Sequence, residues 1–216
     1  MKKIISFTVW GDNPIYTIGA LKNADLAKDI YPNWICRYYL GSSTPKDIIN
    51  SLEGKDNVEV VLMKESGDYL STLWRFLPAS EDDVEIMICR DSDSRLSARE
   101  KAAVDEWISS DKGFHIMRDH PAHGTAILAG MWGAKQGSIS EMRELIGEYK
   151  KDNFRELDQQ FLREKIYPLV KNNSFVHDEF FEKKPFPISR REGLDHYGNP
   201  KYFIGEPVDE NDNRIW

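Results

Sequence analysis

Short apolar runs alternate with helical patterns over the first ninety residues, and this alternation constrains the fold more than any other feature. Runs rich in β-branched and aromatic residues have the length of buried strands and occupy residues 4–9, 34–40, 58–63 and 84–89. Between them, apolar residues recur at helical spacing in segments that begin at Pro14, Thr44 and Tyr69, and Pro78 should end the third segment. Because strands alternate with helices, we predict an α/β protein with a mostly parallel sheet flanked by helices. Ligands of such sheets bind beyond the carboxyl ends of the strands.

Two capping boxes predict further helices in the second half of the chain. One helix should run from Ser97 to about Ser109, and the other from Ser138 to about Lys151. The segment between them, residues 115–137, is rich in glycine and histidine and has little periodicity. It is therefore expected to be irregular.

Charge and composition exclude several classes of protein. With 29 basic against 36 acidic side chains, the net charge of −7 argues against nucleic-acid binding, which needs a basic face. No apolar run reaches about 18 residues, so we predict no transmembrane segment. Cys36 and Cys89 lie in apolar runs, which indicates buried thiols in a reducing compartment, the cytoplasm. We expect a single domain over residues 1–206 and a mobile polar tail over 207–216.

The sequence RDSDSR, residues 90–95, directly follows the fourth predicted strand. Asp91 and Asp93 stand two positions apart, so both carboxylates of an extended chain point to the same side. Paired carboxylates hold Mg²⁺ or Mn²⁺, which complete their ligand shell with phosphate oxygens and water. Arg90 or Arg95 can add charge-assisted hydrogen bonds to a diphosphate. The alternative is a polar loop whose aspartates form turns or cap the next helix.

Seven short motifs occur in an order that is typical of one enzyme family. They are residues 6–11 (SFTVWG), 74–78 (WRFLP), 90–95 (RDSDSR), 115–121 (HIMRDHP), 130–133 (GMWG), 158–162 (DQQFL) and 177–178 (HD). This set resembles the compact GT-A-type nucleotide-sugar glycosyltransferases of bacteria and large DNA viruses, including chlorella-virus enzymes associated with capsid glycans. Asp91-Ser92-Asp93 matches their Asp-x-Asp signature, and the resemblance spans roughly residues 4–206.

The resemblance implies a nucleotide-sugar donor, UDP-linked, bound together with Mn²⁺ or Mg²⁺. The nucleotide-binding half would cover about residues 1–95, and the acceptor half about residues 96–206. In this reading Arg75 approaches the phosphates, and His177 is a further metal ligand beside the Asp-x-Asp pair. The expected donor-binding residues are Ser6, Trp10, Gly11, Arg75, Asp91, Ser92, Asp93 and Trp132.

The middle segment offers further candidates. His115, His120 and His123 lie within nine residues, but their spacing suits no usual zinc site and no cysteine is near. We place Asp119 at the edge of the cleft, where it would meet the donor sugar or the acceptor; alternatively, it pairs with Arg118 or starts a turn.

Trp132 lies between two glycines and has two open interpretations. As an exposed aromatic face it would be a platform for a sugar ring, because the C–H faces of sugars pack on aromatic rings. As a core residue it would be buried, with the glycines allowing a bend.

Asp158 opens a predicted helix and suits the N-cap position. In the resembling enzymes an acidic residue here faces the acceptor. Inverting transfer needs a general base for the acceptor hydroxyl, and Asp158 and Asp119 are the two candidates. Retaining transfer would use neither in that role.

We therefore expect a metal-dependent hexosyltransferase-like enzyme that transfers a sugar to an acceptor hydroxyl in glycan synthesis. The acceptor would be a glycan or glycoprotein, such as a viral capsid protein in the host cytoplasm, or a bacterial surface polysaccharide. Two alternatives remain, a sugar nucleotidyltransferase and a non-catalytic carbohydrate-binding protein. The loop after the first strand, residues 10–14, lacks the Gly-rich, basic character of the first alternative.

Overall fold

The computed structural model describes residues 1–149, 151–190 and 199–215. Within these residues the strands are β1 (Lys2–Val9), β2 (Ile35–Leu40), β3 (Val58–Leu62), β4 (Val84–Cys89), β5 (Phe114–Arg118), β6 (Trp132–Lys135) and β7 (Ser174–Asp178). The α-helices are α1 (Pro14–Ile30), α2 (Lys46–Glu53), α3 (Ala98–Ser109), α4 (Met142–Glu148), α5 (Leu157–Phe161) and α6 (Tyr167–Val170). The remaining helical segments are two 3-10 segments and a π turn, Tyr69–Ser80, Lys171–Asn173 and Leu162–Ile166. None of these helices is long and apolar enough to cross a membrane.

The strands form one mixed sheet in the order β3-β2-β1-β4-β6-β5-β7. The predicted α/β class is confirmed, since β1 to β4 are all parallel, whereas β6 is antiparallel to both of its neighbours. Both faces of the sheet are covered: Ile4 packs into one core cluster, while Ile5 and Phe7 pack into the other. The connections reverse direction between β1 and β4, which leaves a crevice at their carboxyl ends.

The expectation that residues 115–137 are irregular is wrong at both ends of the segment. Residues of the segment pair in β5 and in β6, and β5 is buried along its whole length. Strand β6 has only four residues and includes Gly133, whose added Cβ would lie 2.9 Å from the Ile88 side chain. So short a strand, with a glycine that close packing requires, has no alternating or β-branched pattern to detect.

Two predicted helix boundaries are also wrong. Helix α4 begins only at Met142, because the Ser138 hydroxyl donates to the Gly113 carbonyl (2.9 Å) and is not its cap. The helix ends at Glu148, and Lys150, within its predicted range, lies outside the described residues. Pro78 lies inside its 3-10 segment and does not end it, since 3-10 turns place no i−4 carbonyl against the proline ring.

The C-terminal residues fold back onto the domain, contrary to the expectation of a mobile tail. A bridge between Val208 and Arg214 closes a turn, inside which the Asp209 side chain accepts from the Asn211 and Asn213 amides (both 2.8 Å). Asp212 forms ion pairs with residues of the domain. Polarity alone therefore misled the prediction, because the polar side chains have partners.

Candidate functional site

A cleft of about 700 Å³ opens at the carboxyl ends of β1 and β4. The structure brings seven of the predicted site residues together in its lining: Trp10, Gly11, Arg75, Asp91, Ser92, Asp93 and Asp158. It does not bring four others there: Ser6, Asp119, Trp132 and His177. The sequence RDSDSR lies at this point because it follows β4 without an intervening turn.

Arg75 links two of the carboxylates in the cleft. Its Nη1 donates to Asp91 Oδ1 and to the Arg90 carbonyl, and its Nη2 donates to Asp158 Oδ2 at 2.8 Å. Only 7% of the Arg75 side chain is exposed. Burial by itself lowers the pKa of Arg75, but the neighbouring carboxylates keep it above its ordinary value. The guanidinium is therefore a fixed, charged bridge that positions Asp91 and Asp158.

Asp158 lies in the first turn of α5, so the N-cap prediction is wrong. The cap residue is Glu156, which has a left-handed backbone (φ +70°). Asp158 Oδ1 accepts from the Gln159 amide at 2.8 Å, and Oδ2 faces Arg75. Both carboxylate oxygens thus have partners, and the side chain is almost fully buried.

The surroundings of Asp93 in the cleft disfavour its charged form. Burial and the charge of Asp91 raise its pKa to about 6. Tyr16, in the first turn of α1, also has a raised pKa because of burial and the charges of Asp93 and Asp91. The cleft therefore holds concentrated negative charge that a bound cation would relieve.

Gly130 is required where the chain approaches Asp91. A Cβ at this position would overlap the Asp91 carboxylate. The sequence motif GMWG drew attention to Trp132, but the contact with the ligand cleft comes from its first glycine and from Met131.

The two arginines of RDSDSR do not face the cleft. Arg90 is buried, and its Nε donates to Glu100 at 2.9 Å. Arg95 Nε donates to Asp212 at 2.8 Å, and its Nη1 donates to the Ser92 carbonyl at 3.2 Å. Neither is available to a diphosphate, because each has partners that sequence spacing does not reveal.

The loop after β1 reaches the cleft together with the last two residues of the strand, Thr8 and Val9, but Ser6 does not. Gly11 has φ +68°, and its amide donates to Ser43 Oγ at 2.8 Å. Trp10 lies against Gly67, where a Cβ would overlap the indole. Ser6 is fully buried inside β1, and its hydroxyl has no partner among the described residues.

Asp119 is fully buried in an ion cluster away from the cleft. It accepts from Arg99 Nη2 at 2.9 Å and pairs with Arg190 Nη2 at 2.7 Å. Its Oδ2 also accepts from the Ile204 amide at 3.0 Å. Neither the donor nor the acceptor role expected for Asp119 fits this position, and its partners are not the expected Arg118.

Trp132 is a core residue and not a sugar platform. It is fully buried in β6, stacked on Phe114 with ring centroids 5.1 Å apart and edge-on to Phe76. Of its two interpretations from sequence, burial is the one that the structure adopts.

His177 lies in β7 with both ring nitrogens engaged. Its Nδ1 is 2.8 Å from His115 Nε2, and its Nε2 is 3.1 Å from Glu106 Oε2. Burial and the neighbouring His177 hold the pKa of His115 well below its ordinary value. A metal at Asp91 and Asp93 would not reach His177, which lines no part of their cleft.

His123 lines the cleft, although no specific role was predicted for it from the sequence. Its Nδ1 accepts from the Asp119 amide at 3.0 Å, and burial lowers its pKa to about 4. The ring is therefore neutral at physiological pH, with its proton on Nε2.

Sequence reasoning missed most of one side of the cleft. The lining residues to which the sequence analysis assigned no role include Tyr16, Asp68, Tyr69, Thr72, Asn153, Arg155, Glu156 and Gln159. Asp68 had a detectable signal, since it forms a capping box with Ser71. Arg155 and Glu156 are exposed, and neither side chain forms an ion pair or hydrogen bond with the described residues.

Asp91 and Asp93 fit a divalent cation that keeps most of its ligands as water and phosphate. Such cations need only one or two protein carboxylates. The raised pKa of Asp93 fits this role, because it reflects burial and, after that, the negative charge of Asp91. Within the described residues, no three histidine, cysteine or acidic side chains form a ready-made metal site.

Several solved structures share the fold. A glycosyltransferase involved in glycosylation of the major capsid of PBCV-1 aligns over 83% of this chain and 82% of its own, with TM-score 0.56 and 14% identity. The glycosyltransferase GlyE of Streptococcus pneumoniae TIGR4 aligns over 82% of this chain and 45% of its own, with TM-score 0.54 and 14% identity. The 4-diphosphocytidyl-2C-methyl-D-erythritol synthase of Anaerococcus prevotii aligns over 88% and 92%, with TM-score 0.52 and 12% identity.

No protein-family model matches the chain, and no curated protein matches it. At 12% to 14% identity, the likeness to the solved structures shows the fold, and function has to be argued from the site. The chain is thus a single-domain α/β protein with the GT-A-like fold that these glycosyltransferases and the synthase share.

Proposed function

We propose that this protein is a metal-dependent glycosyltransferase that moves a sugar from a nucleoside diphosphate, with UDP favoured, to an acceptor hydroxyl. The observation that carries the proposal is the pairing of Asp91 and Asp93 at the carboxyl end of β4, inside the cleft where the strand order reverses. Carboxylates in this place suit a divalent cation and the diphosphate that it accompanies. Solved glycosyltransferases use the same fold.

Arg155 is the arginine that we assign to the phosphates. It lines the cleft and has no ion pair within the described residues, so its charge is available to a ligand. Arg75 is held by Asp91 and Asp158 and acts by positioning them. A cation at Asp91 and Asp93 would supply further positive charge beside the departing diphosphate.

The aromatic residues of the cleft suit a nucleoside. Trp10 follows β1, and Tyr16 lies in the first turn of α1, close enough to Asp93 for its charge to raise the tyrosine pKa. Flat aromatic faces near a phosphate-binding pair favour a stacked base. We assign the nucleoside to this side and the acceptor to the side formed by Glu156, Asp158 and Gln159.

In the reaction, the acceptor oxygen bonds to the anomeric carbon as the bond from that carbon to the diphosphate oxygen breaks. Positive charge near the diphosphate stabilises the negative charge that leaves with it. Asp158 is the candidate base in an inverting transfer, because it lines the cleft, whereas Asp119 is buried between two arginines. The acceptor would be a growing glycan, on a capsid protein or a surface polysaccharide.

A nucleotidyltransferase is the second candidate, because the solved synthase shares the fold over 88% of this chain. Such an enzyme needs positive charge after the first strand to hold a triphosphate. Here the loop reads WGDNP and has no lysine or arginine. The acidic cleft therefore favours the glycosyltransferase, and intact Asp91 and Asp93 argue against a non-catalytic binding protein.

The test is thermal unfolding with UDP, with and without Mn²⁺, on the native protein and on Asp93→Asn. A ligand at about 100 times its Kd adds roughly 2.7 kcal/mol, which raises the Tm by about 5–10 °C at this chain length. We expect a rise that needs Mn²⁺ and that Asp93→Asn abolishes.

Release of sugar from a panel of UDP-sugars then separates the candidates. Sugar release from the donor supports transfer, whereas pyrophosphate release from UTP and a sugar phosphate would indicate the nucleotidyltransferase. The absence of any shift with UDP, GDP or dTDP would sink the donor site and favour the binding protein.

A further inference from the structure

The C-terminal segment, residues 203–215, contacts the Asp-x-Asp loop, residues 91–95, through backbone and side chains. We propose that this segment is a positioning element that holds the loop in its ligand-binding arrangement. The proposal rests on the proposed function, which makes the loop a ligand site. The contacts themselves are independent of that function.

One contact reaches the backbone of a proposed metal ligand. The Val208 amide donates to the Asp93 carbonyl at 2.8 Å. Gly205, three residues earlier, lines the cleft itself with φ +80°, and a Cβ there would come within 2.8 Å of the Met131 sulfur. The segment thus contributes to the surface of the cleft and fixes the residue that carries its most perturbed carboxylate.

Arg95 joins the loop to the segment. Its Nη2 donates to the Asp209 carbonyl at 3.0 Å, and its Nε donates to Asp212 Oδ1 at 2.8 Å. On the loop side, its Nη1 donates to the Ser92 and Ser94 carbonyls at 3.2 and 3.1 Å. A single guanidinium therefore holds both chains, and loss of its C-terminal partners would free the loop.

Asp212 is the ion-pair partner of Arg95 on the C-terminal segment. Besides Arg95, it accepts from Lys22 of α1 at 2.7 Å, and about half of its side chain, 52%, is exposed. Helix α1 touches the loop as well, since a Cβ at Gly19 would overlap the Ser92 carbonyl. Helix, loop and C-terminal turn meet at this point, and Asp212 connects all three.

A second attachment lies on the other side of Gly205. The Ile204 amide donates to Asp119, which Arg99 and Arg190 hold in place. The segment is therefore hydrogen-bonded to the rest of the protein on both sides of Gly205, its cleft-lining residue. This explains a buried carboxylate that the proposed reaction does not use: Asp119 anchors the segment.

The coupling works in both directions. If the docked segment favours the ligand-binding arrangement of the loop, ligand binding must favour the docked segment by the same factor. Bound ligand should therefore slow amide exchange in residues 203–215, although only Gly205 of the segment lines the cleft.

The test is Asp212→Asn, which removes two ion pairs and keeps a residue that tolerates φ +66°. The control is Asp105→Asn, an aspartate paired with Lys101 that is 56% exposed and lies on α3, away from the cleft. In the ligand-free protein, we expect Asp212→Asn to speed amide exchange several-fold in peptides covering 90–97 and 203–215. Exchange elsewhere, and in the control, should stay unchanged.

Titration calorimetry with UDP and Mn²⁺ supplies the second measurement. Affinity should fall about three- to tenfold in Asp212→Asn and stay unchanged in Asp105→Asn. Unchanged exchange over 90–97, or a uniform increase across the chain, would overturn the positioning role. If the native protein binds no nucleoside diphosphate, the proposed function fails, and the ligand-free exchange still decides the role of the segment.

Discussion

Four aspartates that the sequence predicts as site residues differ only in their surroundings. Asp91 and Asp158 share Arg75, Asp119 is enclosed by two arginines, and Asp93 is partly buried beside Asp91 and forms no ion pair with the described residues. Side-chain chemistry is the same in all four, so the neighbouring groups decide the role that each aspartate takes: a carboxylate held by an arginine, an anchor for the C-terminal segment, or a ligand of a cation.

The raised pKa of Asp93 predicts that removing its charge stabilises the metal-free protein. The folded-state pKa of about 6 exceeds the ordinary 3.8. The contribution of this carboxyl to the free energy of unfolding is therefore fully present below pH 3.8 and is lost as pH rises through 6. In urea unfolding at pH 7.5, the free energy of unfolding of Asp93→Asn should exceed that of the native protein by at most about 3 kcal/mol. The gap should close near pH 4 and shrink when Mn²⁺ is added at pH 7.5. A variant that is less stable at pH 7.5 would contradict the prediction.

At the scale of elements, the sites of close approach are marked by glycines. Helix α1 lies against the loop at Gly19, and the chain before β6 passes Asp91 at Gly130. In both places a backbone or a carboxylate occupies the volume of a Cβ. Packing of whole elements, not turn geometry, therefore requires these glycines.

Two helical glycines should respond to alanine with opposite signs. In Gly19→Ala, the new Cβ would overlap the Ser92 carbonyl, and overpacking of this kind costs about 1–3 kcal/mol. In Gly147→Ala, on α4, the Cβ meets nothing within 4 Å, so the helix propensity of alanine should add about 0.5–1 kcal/mol. Urea unfolding of both variants measures the pair. Equal effects would show that α1 can move away from the loop without cost.

At the scale of the whole molecule, the seven-stranded sheet and the returning C-terminus together enclose the cleft. The sheet supplies the crevice between β1 and β4, and residues 203–215 close over the loop from the far end of the chain. Buried histidines lie in the second half of the chain, where β5, β7 and the C-terminal segment pack.

Global stability should therefore fall in acid, partly through His123. Its folded-state pKa of about 4 lies below the ordinary 6.5. The contribution of His123 to the free energy of unfolding is therefore present above pH 6.5 and is lost as pH falls toward 4. Replacement by asparagine keeps an acceptor for the Asp119 amide and removes the titrating ring. Between pH 6 and 4.5, the stability of His123→Asn should depend less steeply on pH, by up to about 1.4 kcal/mol per unit. If the free energies of unfolding of the variant and the native protein change in parallel with pH, His123 takes up no proton on unfolding.

Two features could be predicted from local sequence alone: the parallel half of the fold and the position of the Asp-x-Asp pair after β4. Both follow from local information: apolar runs specify β1 to β4, and residues 90–95 come directly after β4. In a parallel sheet this puts the pair at the edge where the carboxyl ends of the strands meet, whereas the pairing of β4 with β1 is a feature of the tertiary structure.

The roles of the remaining residues depend on long-range contacts that the sequence pattern does not show. Trp132, His177 and Asp119 carry plausible chemistry, but each is buried by partners far away in sequence. Arg155 and Glu156 enter the cleft through a loop without a pattern. The C-terminal turn looked mobile because it is polar, yet Arg95 and Lys22 bind it. Partnership between distant residues depends on packing, and one-dimensional patterns do not encode it.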